Sequence, residues 1–213
     1  MNLFKTLIFF MALLTFSVHP AIADNVYEDW NDGDTGGWQP NTVMTEIEVV
    51  DSGGVDGGYL RSFEIGSGFD IVGALNDGPA YTGNYVAHGY VRISVALKFF
   101  SGIPNSAWFR VRYHDSSYNG WHVPLTDDFT NDIWHECVVY FNPTWTDEEA
   151  ITMGWVQEPS SPSFQDTMSD VYTAEVRIQG SGYLVLGMDN FALEDQTVSV
   201  EAATWGEIKS LYR

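Results

Sequence analysis

Four side chains in one short run carry the most distinctive chemistry of this chain: Trp108, Arg110, Arg112 and His114. They alternate with Phe109, Val111 and Tyr113, so a strand through them turns an indole, two guanidiniums and an imidazole to one side and hydrocarbon to the other. Further alternating runs add Trp134, Glu136 and Tyr140, then Glu175 and Arg177, with Arg92 and Lys98 from a fourth. Indoles stack on the CH faces of sugar rings, while Arg and Glu bind hydroxyls and carboxylates, Arg in a planar fork. Taken as one outward face, Trp108, Arg110, Arg112, His114, Trp134, Glu136 and Arg177 make a platform for a glycan, and especially for an acidic one that the rest of the surface repels. The competing reading is structural: Glu136 and Glu175 pair across strands with the arginines, and Trp108 and Trp134 lie under loops.

Catalytic patterns are weak by comparison. His114-Asp115-Ser116 has the residue types of a triad, but adjacency in sequence is not the spatial relay a nucleophile needs. His135-Glu136 lacks the second His of a zinc helix and sits in an alternating run, where neighbours face opposite ways. No G-x-S-x-G, P-loop or dinucleotide fingerprint is present. Paired carboxylates for glycoside hydrolysis are uninformative in a chain with 29 acids.

The elements that must hold these residues are strands. Alternation covers 90–99 and 108–114, joined by Ser101-Gly102-Ile103-Pro104-Asn105-Ser106, which reads as a loop. In the first run Ile93, Val95, Leu97 and Phe99 share a face with Val91. Further strands are expected at 43–50, 59–65, 69–75, 121–125, 133–141, 171–179, 183–188 and 190–194. In 133–141, His135, Cys137, Val139 and Phe141 share the apolar face, making Cys137 a small core residue. In 171–179, Tyr172, Ala174, Val176 and Ile178 are expected inside, Thr173, Glu175 and Arg177 outside. Thr146-Asp147-Glu148-Glu149 is a capping-box start for a short helix, and 164–170 suits one more helical turn. Short strands broken by Gly-rich turns such as Gly53-Gly54 and Gly57-Gly58 predict an all-β sandwich or barrel in one domain, 24–195.

The ends and the charge bound the setting. Lys5, an apolar run from Leu7 to Val18 and Ala21-Ile22-Ala23 describe a secretory signal peptide over 1–23, too short for a membrane anchor. A secreted or cell-surface protein is expected. The net charge of −20 argues against nucleic acid and anionic membranes as partners and favours cations. The tail, 196–213, carries Thr204 and Glu207 as a second capping box and a helical stripe of Trp205, Ile208, Leu211 and Tyr212. Its Trp-Gly-x-Ile-Lys-x-Leu-Tyr ending resembles that of exported bacterial proteins, a contact for a surface or secretion partner; a frayed or self-docked end is the alternative.

The segment Ser163 to Val171, Val176-Arg177-Ile178, and Leu184 to Leu193 around Asp189-Asn190 resembles the end of a laminin IV type A (laminin B) domain. Upstream, Gly83-Asn84-Tyr85 and His88-Gly89-Tyr90-Val91-Arg92-Ile93 resemble that family's run before a strand, although its Ala-Pro pair is absent where Ala74-Leu75 or Pro79-Ala80 stand. The wider resemblance is to galactose-binding-like jelly rolls and carbohydrate-binding modules. It implies a two-sheet antiparallel jelly-roll sandwich, non-catalytic, binding a polysaccharide or extracellular matrix glycan. It also implies a calcium ion between the first and last strands, with Glu28 and Asp189 as side-chain ligands and carbonyls of the Gly57-Gly58 turn completing an oxygen shell. A purely structural surface or matrix component and a small polysaccharide-degrading enzyme are the alternatives.

Overall fold

The computed structural model describes residues 25–66, 70–113, 119–126 and 129–195. The expected signal peptide, the tail and His114 lie outside the described residues. In chain order the elements are β1 (Val26–Glu28), β2 (Gln39–Pro40), β3 (Thr45–Val50), β4 (Tyr59–Glu64), β5 (Ile71–Asn76), α1 (Tyr85–His88), β6 (Tyr90–Tyr113), β7 (Gly120–Thr126), β8 (His135–Tyr140), α2 (Asp147–Thr152), β9 (Val156–Gln157), α3 (Phe164–Ser169) and β10 (Val171–Asp195). The all-β expectation holds, and the two long strands explain the architecture.

Strands β6 and β10 pair antiparallel over their whole length, from Tyr90 opposite Asp195 to Tyr113 opposite Val171. The second half of β6 and the first half of β10 form the centre of one layer, ordered β2-β5-β10-β6-β7-β9. Their other halves form the centre of a second layer, where β4 and β1 flank β10 and β8 flanks β6. Both strands change layer together at 101–106 and 180–184, where the pairing register slips. Gly102 (φ 86°) and Gly182 (φ 80°) take left-handed backbone at this corner. A Cβ on Gly102 would fall 2.5 Å from Leu184 Cδ2, so the left-handed backbone and the close passage of the two strands together favour glycine. The segment expected as a loop between two strands is thus a bend within one continuous ladder.

Between the layers lies one core. Ile93, Val95, Leu97 and Phe99 from β6 meet Leu186, Met188 and Leu193 from β10, and Phe109 and Val111 join from the other half. Phe109 of one layer approaches Phe191 of the other with ring centroids 6.3 Å apart. Ser62 on β4 both donates to the Gly73 carbonyl and accepts from the Gly73 N–H of β5, each at 2.9 Å. Cys137 is buried as expected, and its thiol is pushed up to about 12 by burial and then by the neighbouring Glu136 charge. It therefore stays protonated and packs as a small apolar side chain.

The helices follow their caps. Thr146 Oγ1 accepts from Glu149 N while Glu149 Oε2 accepts from Thr146 N, completing the expected capping box of α2. Helix α1 was not expected: Asn84 caps its start and Gly89 (φ 70°) its end. One register expectation fails. Tyr172, expected inside, is 40% exposed while Val171 is buried; Thr173 and Glu175, expected exposed, are also buried, although Glu175 keeps the parity of Arg177. A register shift between Val171 and Thr173 is the cause, because one extra residue reverses the alternation on its N-terminal side.

Candidate functional site

The alternating side chains of β6 behave locally as expected, with hydrocarbon inward, but the corner at 101–106 sends its two halves into different layers. The seven residues expected on one platform therefore divide. Trp108, Arg110, Arg112 and Arg177 lie on the outer face of the first layer. Trp134 and Glu136 lie on the outer face of the second, with Arg92 and Lys98. His114 is outside the described residues. A single surface built from all of them is ruled out because parity along a strand fixes the face within one sheet only.

On the first layer, cross-strand neighbours form two rows. One runs Leu75, Glu175, Arg110, His122; the next runs Gly73, Arg177, Trp108, Pro124. Glu175 is 0% exposed. Its Oε2 accepts from Arg110 Nη1 at 3.1 Å and Arg112 Nη2 at 2.7 Å. Its Oε1 accepts from Asn41 Nδ2 at 3.3 Å and lies 3.5 Å from Arg177 Nη1. Arg110 also forks onto Glu158, just beyond β9, donating from Nε at 2.6 Å and from Nη2 at 2.5 Å. His122 Nδ1 approaches the same carboxylate at 3.3 Å. Gly73 (φ 137°) leaves room for this arrangement, since a Cβ there would sit 2.9 Å from Asn41 Nδ2 and 2.0 Å from Val176 O.

The electrostatic result is a fixed, charge-bearing floor. Burial by itself would raise the Glu158 carboxyl, but hydrogen bonds from His122 and Arg110, with their charges, outweigh it and hold Glu158 below the usual glutamate value. Above this floor a hollow of about 340 Å³ is lined by Trp108, Arg110, His122, Glu158, Arg177 and Gln179, at the small end for ligand pockets. Trp108 and His122 stand beside each other, ring centroids 5.2 Å apart. The cross-strand pairing weighed in the sequence is therefore real for Glu175. It does not remove the site, because it fixes Arg110 and Arg112 as a floor and leaves Trp108, Arg177 and Gln179 nearer the solvent. Arg110 is the correction: its side chain is buried and pivots between two carboxylates, so it is no detachable surface contact. His122, Glu158, Asn41 and Gln179 were missed as site residues. His122 and Gln179 occupy alternating outward positions in readable strands; Glu158 and Asn41 come from connections with no periodic signal.

On the second layer, Trp134 donates from Nε1 to Gly53 O at 3.1 Å and meets Tyr59 edge-on, centroids 5.6 Å apart. Glu136 lies opposite Ala96 and 3.9 Å from Arg92, whose guanidinium also pairs with the buried Glu194. His135, the neighbour of Glu136, hydrogen-bonds the Thr130 carbonyl through Nε2 at 3.0 Å and shares no ligand with it.

Glu28 on β1 lies opposite Phe191, two residues from Asp189 on β10. Asp189 Oδ2 accepts from Val55 N at 2.6 Å and Oδ1 from Asn190 N at 2.7 Å; Glu28 Oε1 accepts from Trp30 N at 3.2 Å. Burial raises both carboxyls above their ordinary values despite these bonds, with Asp29 and Asp32 adding to Glu28 and Asp29 and Asp56 to Asp189. A Cβ on Gly54 would lie 2.1 Å from Gly58 O and 2.6 Å from Asp189 Oδ2, so that carbonyl and carboxylate border the same space. Oxygen donors suited in kind to a hard cation are present. They fall short in number: among the described residues no three His, Cys, Asp or Glu side chains group as a metal cluster.

No protein-family model and no curated protein matches this chain. Its fold is similar to solved structures. A family 11 carbohydrate-binding module from Clostridium thermocellum, in complex with a β-1,3-1,4-mixed-linked tetrasaccharide, is 14% identical with a TM-score of 0.52, over 80% of this chain and 95% of that one. The C-terminal family 22 carbohydrate-binding module of Clostridium thermocellum Xyn10B is 12% identical with a TM-score of 0.53, over 84% and 99%. An exo-β-agarase is 10% identical with a TM-score of 0.56, over 83% of this chain and 26% of that one. At these identities the likeness establishes the jelly-roll architecture and no more. Among the described residues no helix is long and apolar enough to cross a membrane.

Proposed function

We propose that this chain is an exported, non-catalytic glycan-binding module, and that the hollow on its first layer takes an acidic polysaccharide. The observation that carries this reading is a concentration of opposite charge. The chain has a net charge of −20 and only nine Lys and Arg residues, yet three of those cations, Arg110, Arg112 and Arg177, surround Glu175 beside Trp108. Against two carboxylates, three guanidiniums leave a local surplus of positive charge in a chain whose net charge is strongly negative. Trp108 offers an indole to a sugar CH face, Arg177 a fork to a uronate carboxylate, and Gln179 and His122 partners for hydroxyls. The buried Arg110–Glu175–Glu158 network holds these groups in place before ligand arrives, which lowers the ordering cost of binding. The carbohydrate-binding modules of similar fold and the laminin-type resemblance in 163–193 favour the same class of partner, a polysaccharide or extracellular matrix glycan. No step of bond cleavage is assigned to the site.

Export rests on the signal-like segment 1–23. A calcium ion at Glu28 and Asp189 belongs to the proposal as a stabiliser remote from the hollow. Its support is the Gly58 carbonyl and Asp189 carboxylate that border one space, with carboxyls raised by burial and, in smaller part, by like charge, which a bound cation would relieve.

Retention on immobilised polygalacturonate tests the reading. Trp108→Ala and Arg177→Ala are expected to lose retention at unchanged melting temperature. Retention equal to the unsubstituted protein in both variants would overturn the assignment of this face.

A further inference from the structure

The second layer has a larger depression that the acidic-glycan site leaves unused. It encloses about 790 Å³, within the range of small-molecule and oligosaccharide pockets. Its floor is cut from small side chains on the two central strands, Ser94, Ala96 and Ala192, which face outward between the core residues Ile93, Val95 and Leu193. A flat floor of this kind admits a sugar ring close to the backbone. Tyr27 rises on one side, 62% exposed and steadied by its hydroxyl donating to Glu194 Oε1 at 3.1 Å. Trp134 rises on the other, its ring fixed by the hydrogen bond to Gly53 O and by Tyr59. An aromatic ring on each side of a small-residue trough is an arrangement for holding apolar sugar faces.

Charge separates this trough from the first. Glu28, Asp29, Asp32, Glu136 and Glu194 line it, with Arg92 as the one cation among its lining residues, itself paired with Glu194 and Glu136. A uronate is repelled here, while hydroxyl groups find carboxylate acceptors. We infer that the groove formed by Tyr27, Ser94, Ala96, Ala192 and Trp134 is a second binding site, specific for a neutral glycan chain. The sandwich would then hold an acidic polysaccharide on one layer and a neutral one on the other, joining two kinds of chain. The inference borrows from the proposed function only its general class of ligand, since its face and its charge differ from those of the first hollow and it shares no lining residue with it; Glu28 alone also belongs to the proposed calcium site.

Calorimetric titration of the intact chain with cellohexaose, xylohexaose and laminarihexaose tests it. At least one neutral hexaose is expected to bind. Tyr27→Ala should weaken that binding about tenfold, as expected for loss of one stacking ring, and Ser94→Phe, which fills the trough, should abolish it. Both variants should keep their retention on polygalacturonate, which also shows that they fold, and Trp108→Ala should bind the neutral hexaose unchanged. No neutral binding by the unsubstituted protein overturns the inference. So does neutral binding lost in Trp108→Ala and intact in Tyr27→Ala, which would place both ligands in the first hollow. Preference for a chitosan hexamer over all three neutral hexaoses would also overturn it by making the occupant cationic. Loss of polygalacturonate binding by the unsubstituted protein would instead count against the first site alone, leaving the neutral titration to decide this one.

Discussion

Replacing Arg110 with Ala separates a buried pivot from a surface contact. The Arg110 side chain is 7% exposed, that of Glu158 13% and that of Glu175 0%. Removing one partner of a buried ion pair costs about 3–5 kcal/mol, because the other charge stays desolvated without compensation. Here Glu175 retains Arg112, Arg177 and Asn41, while Glu158 retains His122 and some contact with water. The loss should therefore fall near the lower figure, about 3 kcal/mol, a large fraction of a domain's usual margin of about 5–15 kcal/mol. With a urea dependence of about 2 kcal/mol per molar, the unfolding midpoint drops by roughly 1.5 M. Trp30, Trp121 and Trp155 are buried in the core, so intrinsic fluorescence reports the transition. Trp108→Ala and Arg177→Ala, at the rim, should shift the midpoint by less than about 1 kcal/mol equivalent. In a double-mutant cycle, Glu158→Ala should cost less in the Arg110→Ala background than in the native one. An Arg110→Ala midpoint matching that of Arg177→Ala would refute the pivot, and with it the preorganised floor.

Glu158 has its folded value lowered, so its contribution to stability is present above the unfolded value of about 4.3 and disappears as pH falls through the folded one; Glu158→Gln should flatten that acid limb in pH-dependent urea melts. Glu28 and Asp189 are raised, the opposite sign, so their ionisation costs stability as pH rises through their folded values. Calcium should therefore raise the melting temperature and excess chelator reverse it, with no response in Asp189→Asn; a melting temperature indifferent to both removes the ion. Thr146→Ala, which dissolves the capping box of α2, should cost about 1 kcal/mol by urea melting without touching glycan retention.

The strands were legible because half-buried ladders impose a period of two. Ile93, Val95, Leu97 and Phe99, then Phe109 and Val111, face the core as their spacing requires. The capping signatures were equally plain, since Thr146 and Glu149 advertise their bonds in residue type alone. The division of the platform was hidden for a physical reason. Alternation tells which neighbours share a side of one sheet, and a corner such as Ser101 to Ser106 changes the sheet while the alternation on either side of it reads the same. Tyr172 shows the complementary failure, where a slip in pairing flips parity and leaves no mark in composition. Helix α1 is too short for a helical period, although Asn84 before it and Gly89 after it are its proper caps. The acidic half of the floor was half visible: Glu175 stood in an alternating strand, whereas Glu158 reached Arg110 from 48 positions away through a connection.

The central claim is that a sugar acid lies against Trp108 and Arg177 on the first layer. Titrating isotope-labelled protein with hexagalacturonate while following indole and guanidinium N–H resonances tests it most directly. The account predicts shifts at Trp108 Nε1 and Arg177 Nε, with Trp134 Nε1 unmoved. Shifts at Trp134 with Trp108 and Arg177 unmoved would contradict it, as would a spectrum that does not respond to the acidic hexamer at all.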